Sequence, residues 1–565
     1  MHIQRVRNQR GEETVLLRES YREDGKVKKR TVANLTAVPS PAVEALRRAL
    51  SGETLVGANE ALEIETSVHH GHVEAVLSAM ARLGFADLIS SRPCRERDLV
   101  RALIASRLLA PASKLETARW FDTTSLPEEL GIKDATEDEL YAAMDWLLER
   151  QPTIEAKLSK RHLEPCGLVL YDLSSTYVEG TKCPIARLGY SRDGKKDKLQ
   201  INFGLLTDEK GRPVAVSVYE GNVGDPTTVA DQVQKLKKRF DLDLLVLIGD
   251  RGMITQKQIN RFIEQGGIEW ISALKSGGIQ KLKAEGTLQL GLFDEKNLFA
   301  VTSPSFPDER LIACRNPEQA KRRAKKRDAL IAATKKELEK VRGMIARKTL
   351  LGRAAIGLRI GRVINKFKVA KHFKLEIGDD AFHYRIRADK VQAEAALDGI
   401  YVIRTSIPKE VITDADAVRH YKRLTRVESA FRSMKTVTLM VRPIYHWLEK
   451  RVRAHIFLCM LAYYVEWHMR QAWAPLLFAE EVDTRDTRDP VAPARPSDDA
   501  RAKAATKTTD DGFRVHSFRS LLRHMATIVR NRCRRKNAPT GEPTFPMITR
   551  ADPLHERALQ LIRKL

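Results

Sequence analysis

Two acidic residues directly follow apolar runs that predict buried strands. Asp172 follows an apolar run in "GLVLYDLSSTY", and Asp250 ends another in "DLLVLIGDRGM". Continuous apolar runs of this length are typical of strands covered on both faces. If the two strands are neighbours, their carboxylates meet at one edge of a sheet with little water, which is costly unless they are protonated or bridged by a cation. The alternative for either residue alone is a cap or a turn where its strand ends.

Hard divalent cations would satisfy such a pair, because Mg²⁺ and Mn²⁺ bind carboxylate oxygens and keep open positions for water and phosphate. A third ligand is predicted on the helix "HYKRLTRVESAFRSMKT". There Tyr421, Glu428 and Lys435 are seven residues apart and line the edge of an apolar arc. The arc consists of Leu424, Val427, Phe431 and Met434. The alternative is a solvated helix face on which Glu428 and Arg432 form an i, i+4 ion pair.

The elements that must position these residues form an α/β pattern. Residues 166–275 predict three strands, a helix, a strand, a helix and a strand, with an antiparallel opening and a parallel continuation. The pattern resumes over 399–475 with the strand "GIYVIRTSI", a helix over about 414–435 and another over about 446–470. We interpret these two segments as the first and second parts of a catalytic core.

Two segments precede this core. Residues 1–60 predict a hairpin that turns at Asp24-Gly25, followed by the helix "SPAVEALRRAL". Residues 61–165 are predicted to be a helical region, because helical periodicity, interrupted at prolines, runs from about 73 to 162 and is typical of a helical bundle. The core is therefore expected to follow a helical N-terminal region.

Two further segments interrupt and follow the core. Residues 276–398 predict an insertion domain that contains a long basic helix from 316 and the hairpin "FKLEIGDDAFHYRI". Residues 476–565 begin with a polar, Pro- and Ala-rich stretch at 481–511, which predicts a disordered linker. The basic sequence "FRSLLRHMATIVRNRCRRK" then predicts an amphipathic helix.

The charge balance favours a polyanionic partner. The 565 residues include 98 Lys and Arg against 73 Asp and Glu, which gives a formal net charge of +25. Each phosphate that such a protein neutralises releases a condensed counterion, so nucleic acid is the leading partner and an anionic membrane surface the alternative. Six cysteines without a CxxC pair predict reduced thiols in a cytosolic compartment.

Neither a signal peptide nor a membrane span is expected. The N-terminal sequence "MHIQRVRNQRGEETV" has no apolar core. The longest apolar stretch, "IFLCMLAYYV" at 456–465, is too short to span a bilayer and predicts a buried helix instead.

Three motifs together resemble a known family. "YDLSST", "IGDRGM" and "YKRLTRVESAFRSMKT" are similar to the DDE transposases of bacterial insertion sequences, in the branch whose signature is Tyr, two residues, Arg, three residues, Glu, six residues, Lys. The spacing fits at Tyr421, Glu428 and Lys435, whereas Leu424 stands at the expected Arg position. The resemblance covers roughly residues 165–475.

The resemblance implies a ribonuclease H-like mixed-sheet core with an insertion domain. It also implies that the catalytic residues are three carboxylates, Asp172, Asp250 and Glu428. These carboxylates would bind the metal, two Mg²⁺ or Mn²⁺ ions. The implied DNA-contacting residues are Tyr421, Lys435, Arg423, Arg426 and Arg432. Such a protein would bind the terminal inverted repeats of its own element through the helical region, cleave the DNA there, and join the ends to target DNA.

The implied partner is double-stranded DNA, both transposon ends and target, bound by a homodimer or a higher oligomer in the bacterial cytoplasm at the nucleoid. Two other functions stay open. One is a sequence-specific DNA-binding protein that keeps the fold without catalysis. The other is a ribonuclease H-like nuclease that hydrolyses DNA without joining strands.

Overall fold

The computed structural model describes residues 1–7, 11, 13–53, 61–478, 498–536 and 542–565. The strands are β1 His2–Arg7, β2 Glu13–Glu23, β3 Lys26–Asn34, β4 Leu62–His69, β5 Leu168–Tyr177, β6 Gln200–Asp208, β7 Pro213–Glu220, β8 Leu245–Gly249, β9 Ile268–Ala273, β10 Leu298–Val301, β11 Arg310–Arg315, β12 Phe373–Ile377, β13 Phe382–Ile386, β14 Ile400–Thr405, β15 Val529–Arg535 and β16 Phe545–Ile548.

The helices are α1 Ser40–Leu50, α2 Gly71–Arg82, α3 Phe85–Ile89, α4 Arg95–Leu109, α5 Lys114–Phe121, α6 Leu126–Leu130, α7 Glu137–His162, α8 Asp225–Gln234, α9 Gln256–Gln265, α10 Ser276–Ala284, α11 Leu292–Glu295, α12 Pro317–Ala346, α13 Arg353–Phe367, α14 Ala388–Ala395, α15 Asp414–Lys422, α16 Leu424–Arg432, α17 Glu449–Ala472, α18 Asp498–Thr506, α19 Phe518–Met525 and α20 Pro553–Arg563. Wider π-helical turns follow α8 and α16, and short 3₁₀ turns precede β12 and follow α17.

An eight-stranded mixed sheet carries the predicted core. Its strand order is β10-β11-β14-β9-β8-β5-β6-β7. The pairs β5–β8 and β8–β9 are parallel, and the other pairs are antiparallel. The predicted order of strands and helices over 166–275 is thus confirmed, with its antiparallel opening and parallel continuation.

The interior of this sheet is apolar, as its sequence requires. β6 is buried along its whole length, and most of β5 is buried as well. Helix α17 packs against β7, α4 and α7, and every residue of "IFLCMLAYYV" is buried. The prediction of a buried helix there is confirmed. None of the described helices combines the length and the apolarity that a membrane crossing requires.

The predicted insertion begins later than the sequence indicated. β10 and β11 fall within 276–398, but β11 pairs with β14 and extends the main sheet, because its residues from Leu311 to Cys314 are buried there. The long basic helix α12 and the hairpin β12–β13 are present. Together with α13 they have an apolar core of their own, which includes Leu338, Ile356 and Phe373.

Three other boundaries differ from the prediction. The helix expected over about 414–435 is divided into α15 and α16 and ends in a π-helical turn. Within the predicted helical region, Leu62–His69 is a strand. The C-terminal basic helix ends at Met525, and β15 follows because it pairs with both β4 and β16. Of the predicted linker, 481–497 lies outside the described residues, and Asp498–Thr506 is helical.

The chain divides into two compact units. One consists of Met1–His69 with Ile528–Arg550, and the other of His70–Thr527 with Ala551–Leu565. The first contains the sheets β1-β2-β3 and β16-β15-β4. Its hairpin turns at Asp24-Gly25 and is followed by α1, as predicted.

Gly204 in β6 lies against the ring of Tyr171 in β5, so we expect Gly204→Ala to destabilise the sheet. An added methyl group would overlap Tyr171 Oη, and Tyr171 is only 1% exposed and has little room to move. Overpacking of this kind costs about 1–3 kcal/mol, which urea unfolding measures. The control is Gly277→Ala, where the methyl group meets nothing within 4 Å. Equal stability of the two variants would contradict the prediction.

Candidate active site

Asp172 and Asp250 belong to neighbouring strands: Asp172 lies within β5, and Asp250 directly follows β8. β5 and β8 are parallel, and Tyr171 is paired with Gly249. Asp172 and Asp250 each follow one of these paired residues, so both stand at the same edge of the β5–β8 pair. The condition on which the sequence argument depended, adjacency of the two strands, is therefore met.

Helix α16 brings the third carboxylate to the same place. Its four apolar arc residues are buried, and Phe431 makes an edge-to-face contact with Phe203 of β6, with ring centroids 5.3 Å apart. Because this face packs on the sheet, Glu428 at the edge of the arc is exposed toward an open cleft. The helical period of the sequence thus translates directly into the position of Glu428.

The cleft has a volume of about 730 Å³ and receives side chains from several separate segments. All three predicted metal ligands line it. The other lining residues are Leu173, Ser174, Arg192, Asp225, Tyr421, Lys422, Leu424, Thr425, Phe431, Arg432, Lys435, Thr436 and Arg442. An acidic centre is therefore surrounded by cationic side chains, an arrangement suited to a phosphate held beside a metal site.

The pKa of Asp172 is raised to about 7, mainly by burial and to a smaller extent by the charges of Asp250 and Glu428. Two groups act in the opposite direction: the backbone N–H of Leu173, which donates to Asp172 Oδ1 at 2.8 Å, and the guanidinium of Arg192. The three carboxylates are thus close enough to repel one another. A cation between them would remove this repulsion.

Tyr421 lies beside Asp250. Its hydroxyl donates to Asp250 Oδ1 across 3.5 Å, a long contact. Burial raises the pKa of Tyr421, and the charge of Asp250 adds to this effect. The side chain is consequently a neutral hydrogen-bond donor at the rim of the cleft.

Lys435 is held by two contacts that the sequence did not suggest. Its ammonium donates to Ser174 Oγ and to Asp193 Oδ1, each at 2.8 Å, and Arg442 Nη1 lies 2.5 Å from the same Asp193 oxygen. Burial lowers the pKa of Lys435, whereas Asp193 raises it. Asp193 therefore positions two cations at one side of the cleft.

The three predicted DNA-contacting arginines are separated by the structure. Arg432 lines the cleft. Arg423 instead forms an ion pair with Glu209 at 2.6 Å, and Arg426 donates to the Glu209 carbonyl. Both latter side chains thus connect α16 to the β6–β7 turn, because they project from the side of α16 away from Glu428. This arrangement does not favour a direct contact of Arg423 or Arg426 with a phosphate in the cleft.

Sequence reasoning missed four charged residues near the cleft: Arg192, Asp193, Asp225 and Arg442. Asp225 is the first residue of α8, whose N-cap is Gly224, and it accepts a hydrogen bond from Arg192 Nη2 at 2.6 Å. The basic loop "GYSRDGKKDK" contains both Arg192 and Asp193. Its charge density was the available signal, but nothing local indicated which of its residues turn toward the sheet.

The donor set of the cleft fits hard divalent cations. Asp172, Asp250 and Glu428 offer carboxylate oxygens, the ligands that Mg²⁺ and Mn²⁺ prefer. Their ligand atoms do not all meet within 4.8 Å; among the described residues, His524, Asp552 and His555 form the one group of three that does. Three repelling carboxylates that surround a cleft without converging on one point suit a pair of ions better than a single one.

Comparison with known proteins defines the class of protein to which this mixed sheet and acidic cleft belong. The family model described as "Transposase DDE domain" matches residues 168–465, more than half of the chain. The chain belongs to the DDE transposase family. A second model, the N-terminal domain of IS1634 family transposases, matches residues 2–61.

Other comparisons add little to these two matches. No curated protein matches the chain. One solved structure that matches is a piggyBac transposase synaptic complex with hairpin DNA, at 11% identity and a TM-score of 0.30. The match covers 77% of this chain and 86% of that one. The family models do not distinguish the branch with the Tyr-Arg-Glu-Lys signature, so that assignment stays a prediction.

Proposed function

We propose that this transposase binds the terminal inverted repeats of its own insertion sequence and catalyses metal-dependent DNA cleavage and strand transfer. The observation that carries the proposal is the meeting of Asp172, Asp250 and Glu428 in one cleft from three separate elements. A net charge of +25 supports DNA as the partner. The order of antiparallel and parallel strands supports a ribonuclease H-like core.

The three carboxylates would hold Mg²⁺ or Mn²⁺. Divalent cations at such a site activate the attacking oxygen and stabilise the leaving oxygen. Because Asp172 has a pKa of about 7 in the free protein, it must lose its proton to serve as a ligand. Cation binding and deprotonation of Asp172 are therefore coupled.

The remaining side chains of the cleft position DNA. Lys435 and Arg432 supply positive charge for a phosphate, and Tyr421 supplies a neutral hydrogen-bond donor beside Asp250. Water would be the nucleophile in the first step and a freed 3′-hydroxyl in the second. Both steps are in-line displacements at phosphorus, for which positioning and charge neutralisation are the main demands.

The other parts of the proposal follow from the family. The helical region over 71–162 and the N-terminal domain at residues 2–61 would recognise the transposon ends. Two ends must be paired for joining, so the active species would be a homodimer or a higher oligomer on DNA. It would act in the cytoplasm at the nucleoid.

A donor-plasmid assay tests the function. Supercoiled DNA carrying the element ends is incubated with the protein and Mg²⁺ or Mn²⁺, and cleaved ends and joined products are resolved on a gel. We expect both products, and neither of them in EDTA. Binding without cleavage would support a catalytically inactive DNA-binding protein, and cleavage without joining would support a nuclease.

Arg192 should set the pH range of this reaction. Its guanidinium lowers the pKa of Asp172, so in Arg192→Gln the carboxyl stays protonated to higher pH. We expect the acid limb of the pH–cleavage profile to move up by as much as about one unit and cleavage at pH 7 to fall by up to about tenfold. The control is Arg187→Gln, which removes an arginine paired with Glu220. An unchanged midpoint in Arg192→Gln would contradict this role.

A further inference from the structure

A second cavity lies beside the active-site cleft, between the helical region and the segment that follows α16. Its volume is about 240 Å³, smaller than the 300–1,000 Å³ or so of typical pockets for drug-sized ligands. Its lining residues are Arg107, Pro111, Ala112, Ser113, Lys114, Tyr141, Met440, Arg442, Pro443, Tyr445, His446 and His455. None of these described lining residues is acidic.

Lys114 is the unusual member of this set. Its side chain is buried, with 2% exposed, and no described residue forms a hydrogen bond or an ion pair with its ammonium. The pKa of Lys114 is lowered to about 7, mainly by burial and to a smaller extent by the positive charge of Arg107. A buried cation without a counter-charge is costly, so its presence calls for a partner that the free chain does not supply.

Its neighbours add to the same cationic character. Arg107 is 7% exposed, and its Nη2 donates to the Ala112 carbonyl at 3.0 Å. Burial, together with the charges of Arg107 and Lys114, lowers the pKa of His446 to about 3 and that of His455 well below its usual value. Both imidazoles are thus neutral while the cavity holds no anion.

The position of the cavity indicates which anion it takes. It borders the N-terminus of α5, where backbone N–H groups point outward and the helix dipole favours negative charge. Arg442 lines both this cavity and the active-site cleft, where Asp193 holds it. A DNA strand whose reacting phosphate occupies the cleft would pass directly beside it.

We propose that the cavity around Lys114 and Arg107 binds a backbone phosphate of the same DNA strand that is cleaved in the adjacent cleft. This inference rests on the proposed function and adds a second anchoring point for its substrate. The two buried cations become neutralised when the phosphate enters. The helical region and the catalytic core thereby bind the same strand of the DNA end.

Lys114→Met tests the proposal without removing volume. We expect end DNA to bind about tenfold more weakly and the slope of log K against log salt concentration to fall by about one. The free variant should unfold at the same or a higher temperature than the wild type, because a desolvated charge has been removed. The matched control is Lys281→Met, which removes an exposed lysine paired with Glu285 outside the helical region.

Modified DNA supplies the decisive measurement. Single methylphosphonates, which carry no charge, are placed one at a time along the end of the element. We expect one position near the cleavage site at which the substitution weakens wild-type binding about tenfold but leaves Lys114→Met unaffected. If every position affects the wild type and Lys114→Met equally, the proposal is overturned, whether or not the variant is destabilised.

Two further measurements distinguish failure of this proposal from failure of the proposed function. Cleavage by the wild type is measured on the same DNA without modification. If the wild type does not cleave it, the proposed function is wrong. If the wild type cleaves it but no position depends on Lys114, only the phosphate site in the cavity is wrong. Inorganic phosphate at constant ionic strength should raise the melting temperature of the wild type more than that of Lys114→Met. An equal response would show that the cavity does not bind phosphate.

Discussion

Glu428→Gln is expected to reduce end cleavage by a factor on the order of 1,000 while end binding is retained. The amide keeps the shape of the side chain but removes the negative charge that a divalent cation requires. Glu428 is exposed toward the cleft, and the packing of α16 depends on its apolar arc, so the fold should not change. Cleavage is measured with the donor plasmid and binding by gel shift.

The matched control for this variant is Glu264→Gln, because Glu264 is exposed on α9. It should cleave at the wild-type rate. Retained cleavage in Glu428→Gln would remove Glu428 from the ligand set, and loss of end binding would indicate a structural role for it. Only loss of chemistry with preserved binding agrees with a metal ligand.

The second large effect concerns stability in the absence of divalent cations. The pKa of Asp172 is about 7 in the folded protein against an ordinary value of 3.8, so the folded state binds more protons than the unfolded state between these pH values. Stability from this group is therefore lost as the pH rises through this window. At about 1.4 kcal/mol per pKa unit, the loss from pH 4 to pH 8 is at most about 4 kcal/mol.

Asp172→Asn isolates this contribution. The variant should be close to the wild type in unfolding free energy near pH 4 and more stable than it at pH 8, as measured by urea unfolding in EDTA. Added Mg²⁺ should stabilise the wild type at pH 8 and have less effect on the variant. Asp197→Asn, which alters an exposed loop carboxylate, is the control. A constant difference across the pH range would contradict the raised pKa.

The local elements of the site could be predicted because their signals are local. Apolar runs defined β5 and β8, and the carboxylates that end them stand out against those runs. The 100° helical period placed Glu428 beside Tyr421 at the edge of a buried face. Each inference used residues within one predicted helix or one strand, where side-chain direction follows from backbone geometry.

Pairings between distant segments could not be predicted in the same way. Nothing near Arg423 indicates that Glu209 will neutralise it, and nothing near Lys435 indicates Ser174 and Asp193. The strand β15 was predicted as helix because its basic sequence also fits a helical period. Its pairing with β4, more than 450 residues earlier, decided the outcome.

The amino-acid sequence by itself determined the class of chemistry: three carboxylates, a line of cationic and aromatic residues beside one of them, and an excess of positive charge. Tertiary structure alone decided which charges serve that chemistry. Arg423 and Arg426 are engaged by the β6–β7 turn, Arg192 and Arg442 are brought to the cleft, and Lys114 is buried without a counter-charge. The physical reason is that backbone periodicity is set by neighbours along the chain, whereas the burial and pairing of a charge depend on segments that meet only when the protein folds.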